Sequence, residues 1–551
     1  MGHTRTCSVA AISLLVGLAS VAPTASHGHE GEHDASSPSA TSPHAVVLGT
    51  IDFPTSAGPA AQEAFIRGVL YLHSFEYAPA LVAFREAQEA EPDFVMAYWG
   101  EAMTHHHSLW RVQHLEAARA VLNRLGKTRE ARAQKAKTQR EKDYLHAVEV
   151  LFGMTEQTSS LGKLKRDLHY RNAMKRVHES YPEDLEARAF YGLSILGVGS
   201  ANREYATYMK AAAMLTPVWD ANHSHPGAAH YLIHSYDDPV HAVLGLPMAR
   251  AYEKIAVDAA HAQHMTSHIY VALGLWKDVT TANETALRVE SAKPVGEGSR
   301  SREAWHHRYW LHYGRLQRGQ LDAARKMLKE ARARIAVDPL PREPSYYGAM
   351  YARYLIDTES WDEAGEWLAP EDVDMQIAHY YFARAFAAAK LGKLDAARDH
   401  LSKIRTGGEG NPEIVLEQKE IDILKLEVEA VIALAEGKGE SALDLAERAS
   451  EMQKSLPFRY GPPRISKPAV ELLGDVLAAL GDDGEAVLAY QDELSHSQSR
   501  SNSLLALARA SARAGDAATS KEAYEALAET WLEADATVPA LAEVRRRASA
   551  R

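Results

Sequence analysis

An all-α fold of stacked helical hairpins is what this sequence predicts, and three observations predict it. From Pro59 onward, apolar residues recur at three- and four-residue spacing in stretches rich in Ala, Leu and Glu. No stretch shows the two-residue alternation of a half-buried strand. Small residues return in register at turns between helical stretches, and near the end Gly481 and Gly515 stand 34 residues apart. With 551 residues, 46% hydrophobic and 24% charged, the chain can fold as an array that needs no single large core.

The elements follow in chain order. Residues 1–26 read as an export signal: Arg5 supplies the positive start, Val9 to Leu18 form a short apolar stretch, and small residues follow around Ala22 to Ser26. The apolar stretch is too short to span a bilayer comfortably, and no later run is long enough to be a transmembrane helix. Cleavage would remove Cys7, the only cysteine, so the mature chain is expected to have no disulfide and no thiolate ligand. Arg5 is the only charged residue among 1–26, so its loss takes the net charge of −12 one unit further negative. Residues 27–58 read as a flexible linker rich in His, Ser and Pro. Helical repeats then fill 59–292 and 301–551, with breaks rich in Pro or Gly at 293–300, 337–345, 405–412 and 455–468 that bend the array or divide it into two lobes.

In the first unit Gly68, Tyr71, Tyr77, Ala80, Phe84, Ala87 and Pro92 are spaced as in a tetratricopeptide repeat. Gly68 and Ala80 are small where two antiparallel helices press together, Phe84 and Tyr77 fill the seam, and Pro92 stops the second helix. Further copies carry a turn glycine at Gly274, Gly319, Gly392, Gly481 and Gly515, while Trp361, Ala364 and Leu368 mark a unit without one. Segments 115–180 and 410–455 are helical but match poorly. Most of the chain thus resembles the tetratricopeptide superfamily, which implies a helical solenoid whose first helices line a concave groove.

Histidine is the unusual component, with 27 residues, eight of them between 223 and 268. His230 and His234 share a helix face by their i,i+4 spacing, and His264 and His268 repeat that spacing one 34-residue period later. Equivalent positions on neighbouring helices can bring four imidazoles together as a site for a divalent transition metal. His223, His225 and His261 are further candidates, and Asp237 and Asp238 follow as oxygen ligands or as acceptors that orient imidazole N–H groups. His73 and His107 form a second pair one period apart, with Glu101 nearby. His306, His307 and His312 lie in a segment crowded with Tyr and Trp that packs the hairpins and extends the metal region. His27, His29 and His33 form a separate, flexible metal-capturing tail.

The His-rich block, with the stretches Ala97 to Met103 and Tyr460 to Pro463, also resembles exported bacterial tetratricopeptide proteins. That resemblance implies a fold and a candidate site, and no reaction.

Several chemistries are disfavoured. There is no His-Glu-x-x-His, no phosphate-binding Gly-x-x-x-x-Gly-Lys-Ser/Thr and no Gly-x-Ser-x-Gly elbow. The acidic balance argues against a nucleic-acid partner. The expectation is a periplasmic or secreted helical-repeat protein, not integral to a membrane, that binds a protein or peptide partner and holds Cu, Zn or Fe at His230, His234, His264 and His268. Two alternatives stand beside it: a metal-dependent hydrolase or oxidase with Asp237, Asp238 or Glu101 as base, and a metal-free interaction scaffold.

Overall fold

The computed structural model describes residues 46–199, 204–292, 302–340, 342–375, 377–405 and 414–549. Among them are 25 α-helices, one five-residue 3₁₀-helix and one antiparallel pair of two-residue strands, His106–His107 and Val112–Gln113. The fold is all-α, as expected. No described helix is long and apolar enough to cross a membrane.

Helices pack mainly with their chain neighbours, as an array of hairpins requires. In the first hairpin, Pro59–His73 packs on Tyr77–Ala90. A Cβ on Gly68 would lie 2.7 Å from the Phe84 ring, and Gly100 on the next helix, Val95–Met103, meets the same ring. Phe84 is fully buried, so one aromatic side chain locks three helices together. Tyr77, expected in that seam, is instead half-buried and stacks on His107 at 4.0 Å and on Phe75 at 5.6 Å. Its place at the first residue of its helix turns the ring out past the hairpin.

Every predicted turn glycine is in the left-handed region: Gly274, Gly319, Gly392, Gly481 and Gly515 have φ between 64° and 86°. Each follows the end of a helix, where an L side chain in that conformation would be strained. Gly437 at φ 75° marks one more such turn, in a segment whose sequence matches the repeat poorly.

Two expectations are corrected. The export signal and residues 27–45 lie outside the described residues, but residues 46–58 are not a flexible linker. Leu48 and Phe53 are buried, and Phe53 packs against Phe65, Trp99 and Tyr144 at 5.2–6.0 Å. The Thr50 N–H donates to the Ser224 carbonyl at 2.9 Å, and the Val47 N–H donates to Asp258 at 2.8 Å. Apolar anchors and backbone bonds to distant elements hold this extended strip in place. The second correction concerns Trp361, which begins a 3₁₀ turn, Trp361–Gly365, rather than a full second helix. Gly365 and Pro370 cut the segment short, and Trp367 closes it by packing on Tyr354 at 5.8 Å.

One hydrophobic cluster runs from Leu48 to Ile414, joining residues on both sides of the 293–301 segment. Among the described residues, that cluster is continuous across the break. Later elements also return to the middle of the chain. Trp276 Nε1 donates to the Ser499 carbonyl at 2.8 Å, Trp531 Nε1 donates to the Gln317 carbonyl at 3.0 Å, and the Asp535 N–H donates to the Gly319 carbonyl at 3.0 Å.

Candidate metal centre

Three helices carry the histidines: Pro226–Tyr236, Ala260–Ala272 and Arg302–Gln317. The first starts sharply because Pro226 needs no amide partner at its first position and the His225 side chain caps it, accepting from the Ala228 N–H at 3.1 Å. The i,i+4 pairs form as expected, with ring centroids 4.9 Å apart for His230 and His234 and 5.1 Å for His264 and His268.

The four do not form one site. They divide into two triads, His230–His234–His261 and His264–His268–His306, in each of which the three ligand nitrogens lie within 4.8 Å of one another. Each triad takes an i,i+4 pair from one helix and a third imidazole from the next histidine-bearing helix. The triads adjoin, with 5.8 Å between the rings of His234 and His268 and 6.3 Å between those of His261 and His264.

The bonds at Nδ1 determine what each ring offers at Nε2. His230 Nδ1–H donates to the His73 carbonyl at 2.6 Å, and His268 Nδ1–H donates to Asp237 Oδ2 at 2.6 Å. Asn283 donates its own amide to the Val279 carbonyl, which turns its oxygen to accept from His264 Nδ1–H at 2.7 Å. All three acceptors lack a proton to give. The proton therefore sits on Nδ1 in each ring, and the Nε2 lone pair faces the cluster, the orientation a metal-bound imidazole needs. His264 Nε2 lies 2.7 Å from His306 Nε2, so in the metal-free protein His306 donates to it. The Nε2 atoms of His230 and His261 are buried and have no hydrogen-bond partner.

The expected groove histidines are buried instead: His230 and His264 are 0% and His268 3% exposed. Aromatic rings cover them. Phe75 lies 4.4 Å from His230, Trp110 lies 5.5 Å from His261, and Trp310 and Tyr460 lie 4.4 and 5.0 Å from His268. Gly461 lets its segment sit against Trp310, since a Cβ there would strike the indole. Phe75 is held at φ 54°, an uncommon conformation for a non-glycine residue, where its ring contacts His230. Burial pushes the His230 imidazole down to about 3 and holds His261 and His264 well below the ordinary histidine range. Those rings are neutral at pH 7, as a ligand must be.

The remaining candidates fall elsewhere. His225 joins His73 and Glu186 in a third buried group. Because His225 Nδ1 accepts the capping bond, its proton is on Nε2, 3.1 Å from Glu186 Oε1. His73 lies between Tyr231 Oη at 2.9 Å and Glu186 Oε2 at 2.7 Å. The two bonds of His73 tie the first hairpin to the Pro226–Tyr236 helix, while His225 Nε2 and Glu186 Oε1 face each other without a hydrogen bond, so His225 belongs to this third group and to neither imidazole triad. His223 is exposed, and its Nδ1–H donates to the Trp219 carbonyl at 2.7 Å, outside both triads. Asp237 orients His268 and is not in a triad. Asp238 accepts from the Val240 and His241 N–H groups at 2.9 Å, in the turn before the following helix, and pairs with the His241 ring at 2.9 Å. Glu101 is held by Arg85 at 2.9 Å, Gln88 at 2.6 Å and Arg124, so it is committed to packing. His107 stacks on Tyr77 and belongs to no triad.

No protein-family model and no curated protein matches the chain. Similar solved structures include a tetratricopeptide repeat protein from Parabacteroides merdae, at 14% identity, covering 53% of this chain and 99% of that one, with a TM-score of 0.29. The anaphase-promoting-complex hetero-tetramer Cut9-Hcn1 is similar at 11% identity over 89% of this chain and 76% of that one, with a TM-score of 0.30. Yeast Tom70 is similar at 13% identity over 89% and 94%, with a TM-score of 0.26. The hairpins and their glycine turns make the fold tetratricopeptide-like.

Proposed function

We propose that this chain is an exported helical-repeat binding protein that holds a transition metal among the imidazoles of His230, His234, His261, His264, His268 and His306. The observation that carries this reading is the shared tautomer of His230, His264 and His268, each fixed through Nδ1 so that Nε2 faces its neighbours. Packing alone does not require three buried imidazoles to present lone pairs to one another, whereas a metal does.

Metal storage or handling fits these residues better than hydrolysis. A hydrolytic site needs a base beside its metal-bound water, and the carboxylate bonded to these imidazoles, Asp237, serves to orient His268. The test is elemental analysis of the full chain carrying His27→Ala, His29→Ala and His33→Ala, compared with the same chain also carrying His264→Ala and His268→Ala. Stoichiometric metal that falls in the second protein supports the reading. Absence of metal from the first, with partner capture unaffected by chelation, establishes a metal-free scaffold for a protein or peptide instead.

A further inference from the structure

We infer that the two histidine triads hold two metal ions side by side as one binuclear centre, and that copper is the metal they fit. The inference rests on the metal-binding reading above and adds to it a number, an arrangement and an element.

Each triad is complete without the other, since its three ligand nitrogens lie within 4.8 Å of one another. A single ion shared by His230, His234, His264 and His268 would leave His261 and His306 without a role. Yet His261 is buried with its Nε2 unbonded, and His306 Nε2 is already directed at His264 Nε2, 2.7 Å away. The two groups are also too close to act independently. His234 and His268, from different triads, are 5.8 Å apart between ring centres, hardly more than the spacing within each i,i+4 pair.

The donor set selects the metal. Six imidazoles, with no carboxylate or thiolate among the ligand atoms, exclude the hard cations that need oxygen ligands and leave the late first-row metals. Three ligands per ion complete the trigonal coordination of monovalent copper, whereas zinc takes a fourth. Charge points the same way. Asp237 is hydrogen-bonded to His268, Glu76 accepts from the His261 N–H, and Phe75, Trp110, Trp310 and Tyr460 pack against the rings. Repulsion between two ions in such a buried space is least when both are monovalent, a state copper reaches readily.

The test uses the full chain with the three tail histidines replaced by alanine, loaded with copper(I) without oxygen, freed of excess metal and then oxidised to copper(II) with ferricyanide. Copper per chain is counted by mass spectrometry, and the paramagnetic resonance spectrum is recorded. Two coppers per chain are expected, with a broadened or diminished signal from their magnetic interaction. His261→Ala and His306→Ala should each halve the copper content and restore the spectrum of an isolated ion. One copper in the parent protein, or two that give only isolated-ion spectra, overturns the binuclear centre and leaves the metal-binding reading standing. No bound copper, and none of zinc or iron offered separately, overturns both. The parent protein's count and spectrum decide the matter even if a variant fails to fold.

Discussion

Replacing Asp237 with alanine probes the candidate centre without removing a ligand. Asp237 Oδ2 accepts from His268 Nδ1–H at 2.6 Å, and the two side chains are 0% and 3% exposed. A hydrogen bond to a charged group is worth about 1.5–3 kcal/mol. Loss of a group that orients a metal-bound imidazole lowers metal affinity about 10–100-fold, equivalent to about 1.4–2.8 kcal/mol. The two ranges agree because they describe one event: His268 must find another acceptor or turn its lone pair away from the cluster. Asp237→Ala should therefore weaken transition-metal binding about 10–100-fold, measured by competition with a chromophoric chelator. The metal-free variant should lose about 1–3 kcal/mol of stability in urea, the cost of a buried unsatisfied donor. Asp237→Asn keeps an acceptor oxygen and should lose less affinity than the alanine variant. If Asp237→Ala binds metal within about threefold of the parent while its stability falls as expected, the bond is structural only. The argument from tautomers would then fail.

Two further predictions concern the scaffold. Gly100→Ala places a methyl group within the Phe84 ring and should cost about 1–3 kcal/mol by overpacking, with Gly100→Ala/Phe84→Leu partly restored; an unchanged urea midpoint would contradict the packing described for Phe84. Glu493, fully buried, is pushed up to about 7, mainly by burial and also by the charge of Glu471, against an opposing hydrogen bond from Ser497. The folded state therefore keeps this proton while the unfolded chain loses it, and the stability it contributes is full in acid and disappears as pH rises through about 7. Glu493→Gln should consequently gain about 2–3 kcal/mol relative to the parent between pH 5 and pH 8, read from urea curves at each pH. A difference independent of pH would show that Glu493 is ionised throughout.

Much of the scaffold was legible because its signals are local. A turn that needs a positive φ selects glycine, and the five glycines placed in register are all in that conformation. The contact of Gly68 with Phe84 was equally readable, since small residues mark where helices approach. Trp361 misled because an aromatic and an alanine at repeat spacing signal packing, and packing does not require a full helix. Residues 46–58 misled because what fixes them lies far along the chain, at Ser224 and Asp258.

The division of the four histidines into two triads follows from helix geometry. Residues four apart on one helix have neighbouring side chains about 5–6 Å apart at Cβ, whereas packed helices lie about 8–10 Å apart at their axes. Equivalent pairs on successive helices therefore form two rows, and each row finds its third nitrogen on the helix that follows. For His230 and His234 that nitrogen comes from His261, three residues before His264 and so turned toward the earlier helix. For His264 and His268 it comes from His306, which lies 42 residues after His264 because the 293–301 segment lengthens the repeat. His306 is out of the 34-residue register for that reason. Of the groups that orient the rings, Asp237 follows its helix directly in the sequence, whereas His73 and Asn283 lie outside that register. His73 contributes its carbonyl, Asn283 sits on a second helix, and both face the centre only because the hairpins pack as they do. Side-chain periodicity identifies rings that can meet. Which nitrogen each ring presents is decided by a backbone, an amide and a carboxylate oxygen, and such acceptors have no periodic signature in a sequence.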